Sequence, residues 1–347
     1  MKSVATNPAE ELYRRVRDLL DNLSFQERRF SLAGNPISLQ ATTAPILERL
    51  HGAFGHLAAS RSEAALTVRI TEAPCSGLVD AGTFERGQTV GGHRFWTSPD
   101  RRYFCHTLLA SGSWYCIDRA ENEIVGCVES VDRMSTFEEA KPVVRPLLLW
   151  LEQRGLTPVH AGMVSWRGTG ILFGGRGGSG KTTASLAALQ AGLDMLAEDY
   201  TLLEETGPGV FLAHSLYSSA WIEEHHLWRF QGLADRAIPG DETANGKSIL
   251  LLHEIYPNRF RASTPIRYLV LPRVREAGRT ALCRASRADG LKRFALESMV
   301  TLTRLGTSEM GRLTRLVQSV ECYWLDLGAD LDQVGVLLKN LVEQQSG

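Results

Sequence analysis

Apolar side chains in residues 9–20 (AEELYRRVRDLL) recur every three to four positions, the spacing that lines one face of a helix. Residues 43–59 (TAPILERLHGAFGHLAA) repeat that spacing more weakly, so the chain is expected to open with helices. From about 65 to 130 the texture changes. Short runs rich in β-branched and aromatic residues (LTVRI, HRFWTS, YFCHTLL, SWYCID, EIVGCVES) alternate with the turn-like ERGQ, SPDRR, ASGS and DRAEN, which predicts an antiparallel meander. The polar stretch 131–142 reads as a connection, and VVRPLLLWLEQRG after it as a helix capped by Gly155.

Beyond that helix, PVHAGMVSW and GILFGG, divided by the tight RGTG, predict a strand pair. A run of good helix formers predicts a helix over 181–190, stopped by Gly192, and LDMLAEDYTLLEE returns to strand character. VFLAHSLYSSAWI, PIRYLVLPRV and CYWLDLG read as further strands, with helical stretches from about 289 to 319 and 329 to 343. Strands alternating with helices imply an α/β domain, and the mixed opening implies a separate α+β amino-terminal domain. The boundary is placed near 135, giving domains of 1–135 and 136–347; the amino-terminal one is a candidate for substrate or partner recognition.

Composition narrows the partners. Lys plus Arg (38) nearly balance Asp plus Glu (39), so no whole-molecule field favours nucleic acid or a membrane surface, and neither is expected as a partner. A basic-then-apolar leader and a membrane-length apolar run are both lacking, so the expected location is the cytoplasm. A homo-oligomer is compatible with this composition. The six cysteines, Cys75, Cys105, Cys116, Cys127, Cys283 and Cys322, form no short C-x-x-C pair and are read as reduced core residues.

The chemistry concentrates at Gly175-Arg176-Gly177-Gly178-Ser179-Gly180-Lys181-Thr182, a match to G-x-x-x-x-G-K-[ST] between a strand-like and a helix-like run. Glycines at these positions let backbone N–H groups turn inward around phosphate oxygens, and the following helix points its positive end at them. Lys181 would pair with the terminal phosphates of ATP and Thr182 would complete a Mg²⁺ shell; with Thr183 beside them, these residues form the candidate nucleotide set. Gly175, Gly177 and Gly180 also satisfy G-x-G-x-x-G, with Asp199 about twenty residues on, as in dinucleotide folds. That fingerprint leaves the Lys-Thr pair unexplained, whereas Mg-ATP uses both.

Glu198 and Asp199 end a strand-like run after the loop. One can hold Mg²⁺, and the other can accept a proton from a hydroxyl, which favours transfer to an alcohol over simple hydrolysis. His160 lies in the strand expected beside the loop strand; a lone histidine among apolar residues is more often a packed core residue than a catalyst.

The succession VHAGMVSWRGTGILFGGRGGSGKTTASLAALQAGLDMLAEDYTLLEE resembles the catalytic domain of HPr kinase/phosphorylase, a bacterial serine kinase family whose phosphate loop is related to that of phosphoenolpyruvate carboxykinase. The resemblance implies an HPr kinase-like P-loop fold, ATP and Mg²⁺ as cofactors, and a serine or threonine hydroxyl of a protein or peptide as acceptor. It further implies that Glu198, His160 and Lys181 are catalytic, with Glu198 and His160 handling the proton, and that Thr182 and Asp199 serve the metal. The family usually carries two aspartates where this chain has Glu198-Asp199. Its later signature segment is replaced around 240–262 by DETANGKSILLLHEIYPNRFRA, whose Lys247, Arg259 and Arg261 resemble a basic loop over phosphates or form a solvated charge run. The amino-terminal 135 residues do not resemble the family's regulatory domain, so the chain reads as a divergent member.

Three other features carry less. Glu223-Glu224-His225-His226 suggests metal, but adjacent histidines on an α-helix point about 100° apart, so a solvated face is the expectation. His214 and Ser215 are weak candidates for an acceptor cleft. Trp96, Trp114 and Trp150 read as core or domain-interface packing rather than a base-stacking platform, since no basic stripe accompanies them. A kinase for a small-metabolite hydroxyl and a non-catalytic ATP-reading module are the alternatives to a protein or peptide kinase.

Overall fold

The computed structural model describes residues 8–74, 87–90, 92–230, 232–275, 278–295, 298 and 307–344. Cys75, part of the expected ERGQ turn and part of the expected 289–319 helix lie outside the described residues. The chain divides into two compact units, Met1–Trp150 with Gly240–Asn245, and Leu151–Pro239 with Gly246–Gly347. This division lies after Trp150 rather than near 135. Residues 136–150 go with the first unit because Tyr115 Oη donates to Glu138 (2.8 Å) and Trp150 Nε1 donates to Asn122 (2.9 Å). The detached segment joins them through Asp241, which accepts from the backbone N–H of Thr136 at 2.8 Å.

The first unit is built on an eight-stranded sheet: β1 (Gln26–Leu32), β2 (Asn35–Ala41), β3 (Leu66–Glu72), β4 (Gln88–Val90), β5 (His93–Thr97), β6 (Tyr103–Leu108), β7 (Trp114–Asp118) and β8 (Glu123–Val128). Their spatial order is β1-β2-β3-β8-β7-β6-β5-β4. The antiparallel meander expected from 65 to 130 is present in β4 to β8, with β3 joined to β8 in parallel. The helix Pro8–Leu20 buries Leu12, Tyr13, Val16 and Leu20 in a cluster with Tyr103, Trp114 and Val125. Each such large apolar side chain contributes roughly 1.5–3 kcal/mol on burial.

The β1–β2 hairpin is absent from the sequence-based expectation. Gln26 to Arg29 are all exposed, because β1 is an edge strand whose charged side chains face water. Such charge blunts edge-to-edge pairing while hiding the strand from a search for apolar alternation. The eleven-residue cysteine spacing follows the hairpin repeat: Cys105 and Cys116 are register partners, with Sγ atoms 2.8 Å apart, and with Cys127 they are buried and reduced. Cys283 corrects the core reading, since it is exposed.

Two histidines in this unit give it an acid-sensitive point. His93 Nδ1 lies 3.0 Å from His106 Nε2. Burial pushes the His106 ring well below its usual 6.5, with His93 and Arg145 adding repulsion, and burial and Arg145 also lower His93 against the opposing pull of Glu138. A base with a depressed folded value stays neutral in the fold while the unfolded chain takes up the proton, so stability falls as pH drops below about 6.5. Urea titrations between pH 7 and 5 are expected to show a loss approaching about 1.4 kcal/mol per pH unit from His106. The slope should be shallower in His106→Gln; an unchanged slope would remove His106 as its source.

In the second unit the main sheet runs β12 (Asp194–Ala197), β10 (Gly162–Trp166), β11 (Thr169–Phe173), β17 (Ser263–Val274), β14 (Val210–Ser215), β13 (Tyr200–Gly207), β9 (Thr157–His160). The long β17 also pairs in parallel with β19 (Glu321–Leu327), whose far side takes β18 (Ala281–Arg284). A separate hairpin-like pair joins β15 (Ser219–Glu223) to β16 (Lys247–Leu251). Period-two alternation feeds two cores. Ile171, Phe173, Tyr268 and Val270 face one with the helices Lys181–Gln190 and Asp332–Glu343, whereas Leu172, Leu269 and Leu271 face the other with helix Thr307–Ser319. Both faces are covered, as expected of an α/β fold.

Two expected strands break. PVHAGMVSW divides at Ala161 into β9, which pairs with β13, and β10, which pairs with β11 and β12. LDMLAEDYTLLEE divides at Glu198-Asp199 into β12 and β13. The breaks are stapled to each other: Ala161 N–H donates to Asp199 O (2.9 Å) and Thr201 Oγ1 donates to Ala161 O (2.8 Å). His160 therefore does not lie in a strand beside β11.

Candidate functional site

The glycine-rich loop leaves the end of β11 and enters the helix Lys181–Gln190, as the strand-loop-helix pattern predicts. Its turns require glycine. Gly178 and Gly180 hold φ of +74° and +98°, and a Cβ on Gly180 would meet Leu327 at 2.4 Å. Gly180 caps the helix without a side-chain acceptor, so the first-turn N–H groups remain pointed toward the loop. Arg176 to Gly178 are exposed, while Ser179 Oγ is buried with no hydrogen-bond partner among the described residues. A glycine-rich turn before a helix N-terminus, with an orphaned buried hydroxyl, fits an anionic group with several acceptor oxygens.

Lys181 is only 7 % exposed, and its ammonium donates to the carbonyl oxygens of Gly175 (2.6 Å) and Arg176 (3.4 Å). Carbonyl oxygens of the loop thereby hold a buried cation. Thr182 Oγ1 donates to Glu198 Oε1, and the Trp221 N–H, on β15, donates to Glu198 Oε2 at 3.3 Å. Glu198 is 4 % exposed. Close packing brings it there: at Gly162 a Cβ would lie 2.4 Å from Ser185 Oγ and 3.0 Å from Glu198 O. Thr183 occupies the same first turn, half-buried.

Asp199 turns elsewhere. Its Oδ1 lies 2.6 Å from His160 Nε2, and the His160 ring lies 6.2 Å from that of Tyr200, near parallel to it. His160 meets Asp199 and Thr182 meets Glu198, whereas the resemblance implied His160 with Glu198 for the proton and Thr182 with Asp199 for the metal. Sequence order could not reveal this, because the strand breaks between neighbouring acids and sends them to different partners. Two all-oxygen groups, the Thr182 hydroxyl and the Glu198 carboxylate, form a donor set suited to a hard divalent cation.

Other expectations find different places. His214 pairs with Glu204 (2.8 Å) and Ser215 donates to Leu196 O, so both serve the sheet rather than a cleft. Lys247 begins β16 opposite Glu223. Arg259 and Arg261 contact Gly192 and Asp194, at the far end of the Lys181–Gln190 helix from the loop. Ten residues at 1.5 Å each put them about 15 Å away, too far to fold over the loop.

Glu224–Arg229 is a 3-10 helix, whose neighbouring residues diverge by about 120° viewed along the axis. His225 and His226 have ring centroids 4.1 Å apart, and their ligand atoms lie within 4.8 Å of that of Glu223. Trp114 and Trp150 are core residues, and Trp96 packs against core. Sequence reasoning missed Trp221, whose backbone N–H meets the Glu198 carboxylate.

Among the described residues no helix is long and apolar enough to cross a membrane. No protein-family model matches the chain, and no curated protein matches it. Among solved structures, the chain aligns with the Hpr(Ser) kinase/phosphatase from Coxiella burnetii over 55 % of its own length and 99 % of that chain, at 10 % identity and a TM-score of 0.30.

Proposed function

We propose that the second unit is an ATP-dependent phosphotransferase, moving the terminal phosphoryl group of ATP to a serine or threonine hydroxyl of a protein or peptide. One observation supports this reading: two adjacent carboxylates face different partners, Glu198 the Thr182 hydroxyl at the loop helix and Asp199 the His160 ring. A nucleotide-reading module needs the first pair and has no use for the second.

The loop amides and the buried Lys181 hold and neutralise the phosphates. Thr182 and Glu198 would hold Mg²⁺, which supplies charge neutralisation between the terminal phosphates when bound. Trp221 N–H keeps the Glu198 carboxylate turned toward Thr182. Asp199 accepts the acceptor's hydroxyl proton as the new O–P bond forms and the bond from the terminal phosphorus to the bridging oxygen breaks, releasing ADP; His160, hydrogen-bonded to Asp199, fixes its orientation. Proton handling falls to the aspartate, and glutamate takes the metal, exchanging the roles implied by resemblance.

Mg-ATP is expected to raise the melting temperature and NAD to leave it unchanged; saturation at a hundredfold over Kd corresponds to about 2.7 kcal/mol. ATP consumption against panels of serine-containing peptides and small alcohols, with phosphorus NMR of the product, tests the reaction. A phosphopeptide is the expected product. Transfer confined to small alcohols would replace the acceptor class, and absence of any ATP turnover would end the proposal.

A further inference from the structure

A cavity of about 440 Å³ lies at the end of the second unit's sheet away from the glycine-rich loop. Three arginines from two segments line it: Arg167, in the two-residue turn between β10 and β11, and Arg259 and Arg261, in the stretch before β17. Asp194 is the carboxylate among the lining residues, 2.7 Å from Arg261 Nε and 3.8 Å from Arg259. Just behind, Lys339 donates to Ala191 O (2.6 Å) and Glu343 pairs with Arg167 (3.4 Å), so these two residues together add no net charge to the lining.

Part of this cluster has a structural explanation. Arg259 donates to Gly192 O at 2.9 Å, and with Lys339 it complements the negative end of the Lys181–Gln190 helix. Arg167 and Arg261 do not serve that helix end: each has an ion-pair partner, Glu343 and Asp194 respectively, but their side chains are 70 % and 59 % exposed. Arg167 also sits at φ +50°, a turn position that favours Asn, Asp or Gly over a long cation. The Trp166 ring forms a wall, with Lys339 Nζ 4.4 Å and Arg167 Cζ 5.7 Å from its centroid. With two cations already over that ring, recognition by base stacking is disfavoured and recognition by charge is left.

We propose that this cavity binds a small organic dianion, a phosphomonoester or a dicarboxylate, between Arg167, Arg259 and Arg261. The lining has an excess of two positive charges, which matches two negative ones, and guanidinium forks suit planar or tetrahedral oxyanions alike. Its volume takes a small metabolite but leaves little space for a polymer chain. The site is separate from the loop and does not depend on the activity proposed above.

Calorimetric titration of the full chain with glycerol 3-phosphate and, separately, succinate tests it, using Lys181→Ala as parent to silence anion binding at the loop. At least one anion is expected to bind with a Kd of roughly 0.1–1 mM, more weakly as salt rises. Phosphate-selective or carboxylate-selective binding each supports the site and names the ligand's source. Arg261→Ala and Arg167→Asn should each weaken binding at least tenfold. Arg167→Asn places a turn-favouring residue at positive φ, so its melting temperature should hold or rise, separating lost recognition from lost fold. Failure of both anions to bind, or wild-type affinity in both arginine variants, would overturn the proposal.

Discussion

Asp199→Asn is expected to lower phosphoryl transfer by roughly a hundredfold or more while leaving Mg-ATP affinity within a few-fold, the scale of losing general-base help. The amide keeps the size of the side chain and its contact with His160 but cannot accept the hydroxyl proton. His160→Ala should act in the same direction and less severely, since the imidazole orients the carboxylate without replacing it. Glu198→Gln is the necessary contrast. Its carboxylate lies between Thr182 Oγ1 and Trp221 N–H, so it should weaken Mg²⁺-dependent nucleotide binding about tenfold or more. Single-turnover transfer and Mg-ATP titration of these variants, side by side, decide the division of labour. If the Asp199→Asn, His160→Ala double variant transfers phosphate at the wild-type rate, the pair has no catalytic part. If Glu198→Gln loses transfer but keeps affinity, the two acids exchange roles.

Lys181→Ala is expected to weaken Mg-ATP binding by about a hundredfold or more, close to 3 kcal/mol, and to abolish the nucleotide-induced rise in melting temperature. The expectation rests on burial. An ammonium 7 % exposed, held by two loop carbonyls, lies where water screens poorly and where a phosphate oxygen gains most from it. Arg176 lies nearby in sequence but is exposed and cannot replace it. The variant's own melting temperature guards against a trivial cause, since losing the lysine leaves Gly175 O to find another donor. Affinity within threefold of wild type would detach the loop from nucleotide.

Much of the second unit could be read from the chain because its punctuation is strong. Gly180 and Gly192 bracket the helix Lys181–Gln190, both at positive φ, and the helix begins and ends where the glycines predict. The site's pairing was not legible. Adjacent acids at a strand end look equivalent in sequence; what separates them is the end of a strand and a backbone N–H, Trp221, from a strand more than twenty residues away. The arginines at 259 and 261, open in sequence between a basic loop and a solvated run, illustrate a related limit, because charge reports on partners only once the fold says which helix end is near. In the first unit the missed hairpin shows the opposite limit: β1 carries the polar residues an edge demands, and apolar alternation is therefore silent there.

The stapled breaks at Ala161 and Glu198-Asp199 bear on how the chain tolerates changes of length. Irregular points between strands are ordinarily where insertions and deletions do least harm. Here β13 takes its register against β9 from those residues, with Tyr200 opposite His160 and Thr201 opposite Val159. Removing or adding one residue would slide β13 by one place and turn each of its side chains to the other face. Leu202 and Leu203, both fully buried, would exchange sides, and Asp199 would lose its place beside His160. A point that looks like a loop in the sequence is therefore among the least forgiving places in the second unit for a single-residue deletion.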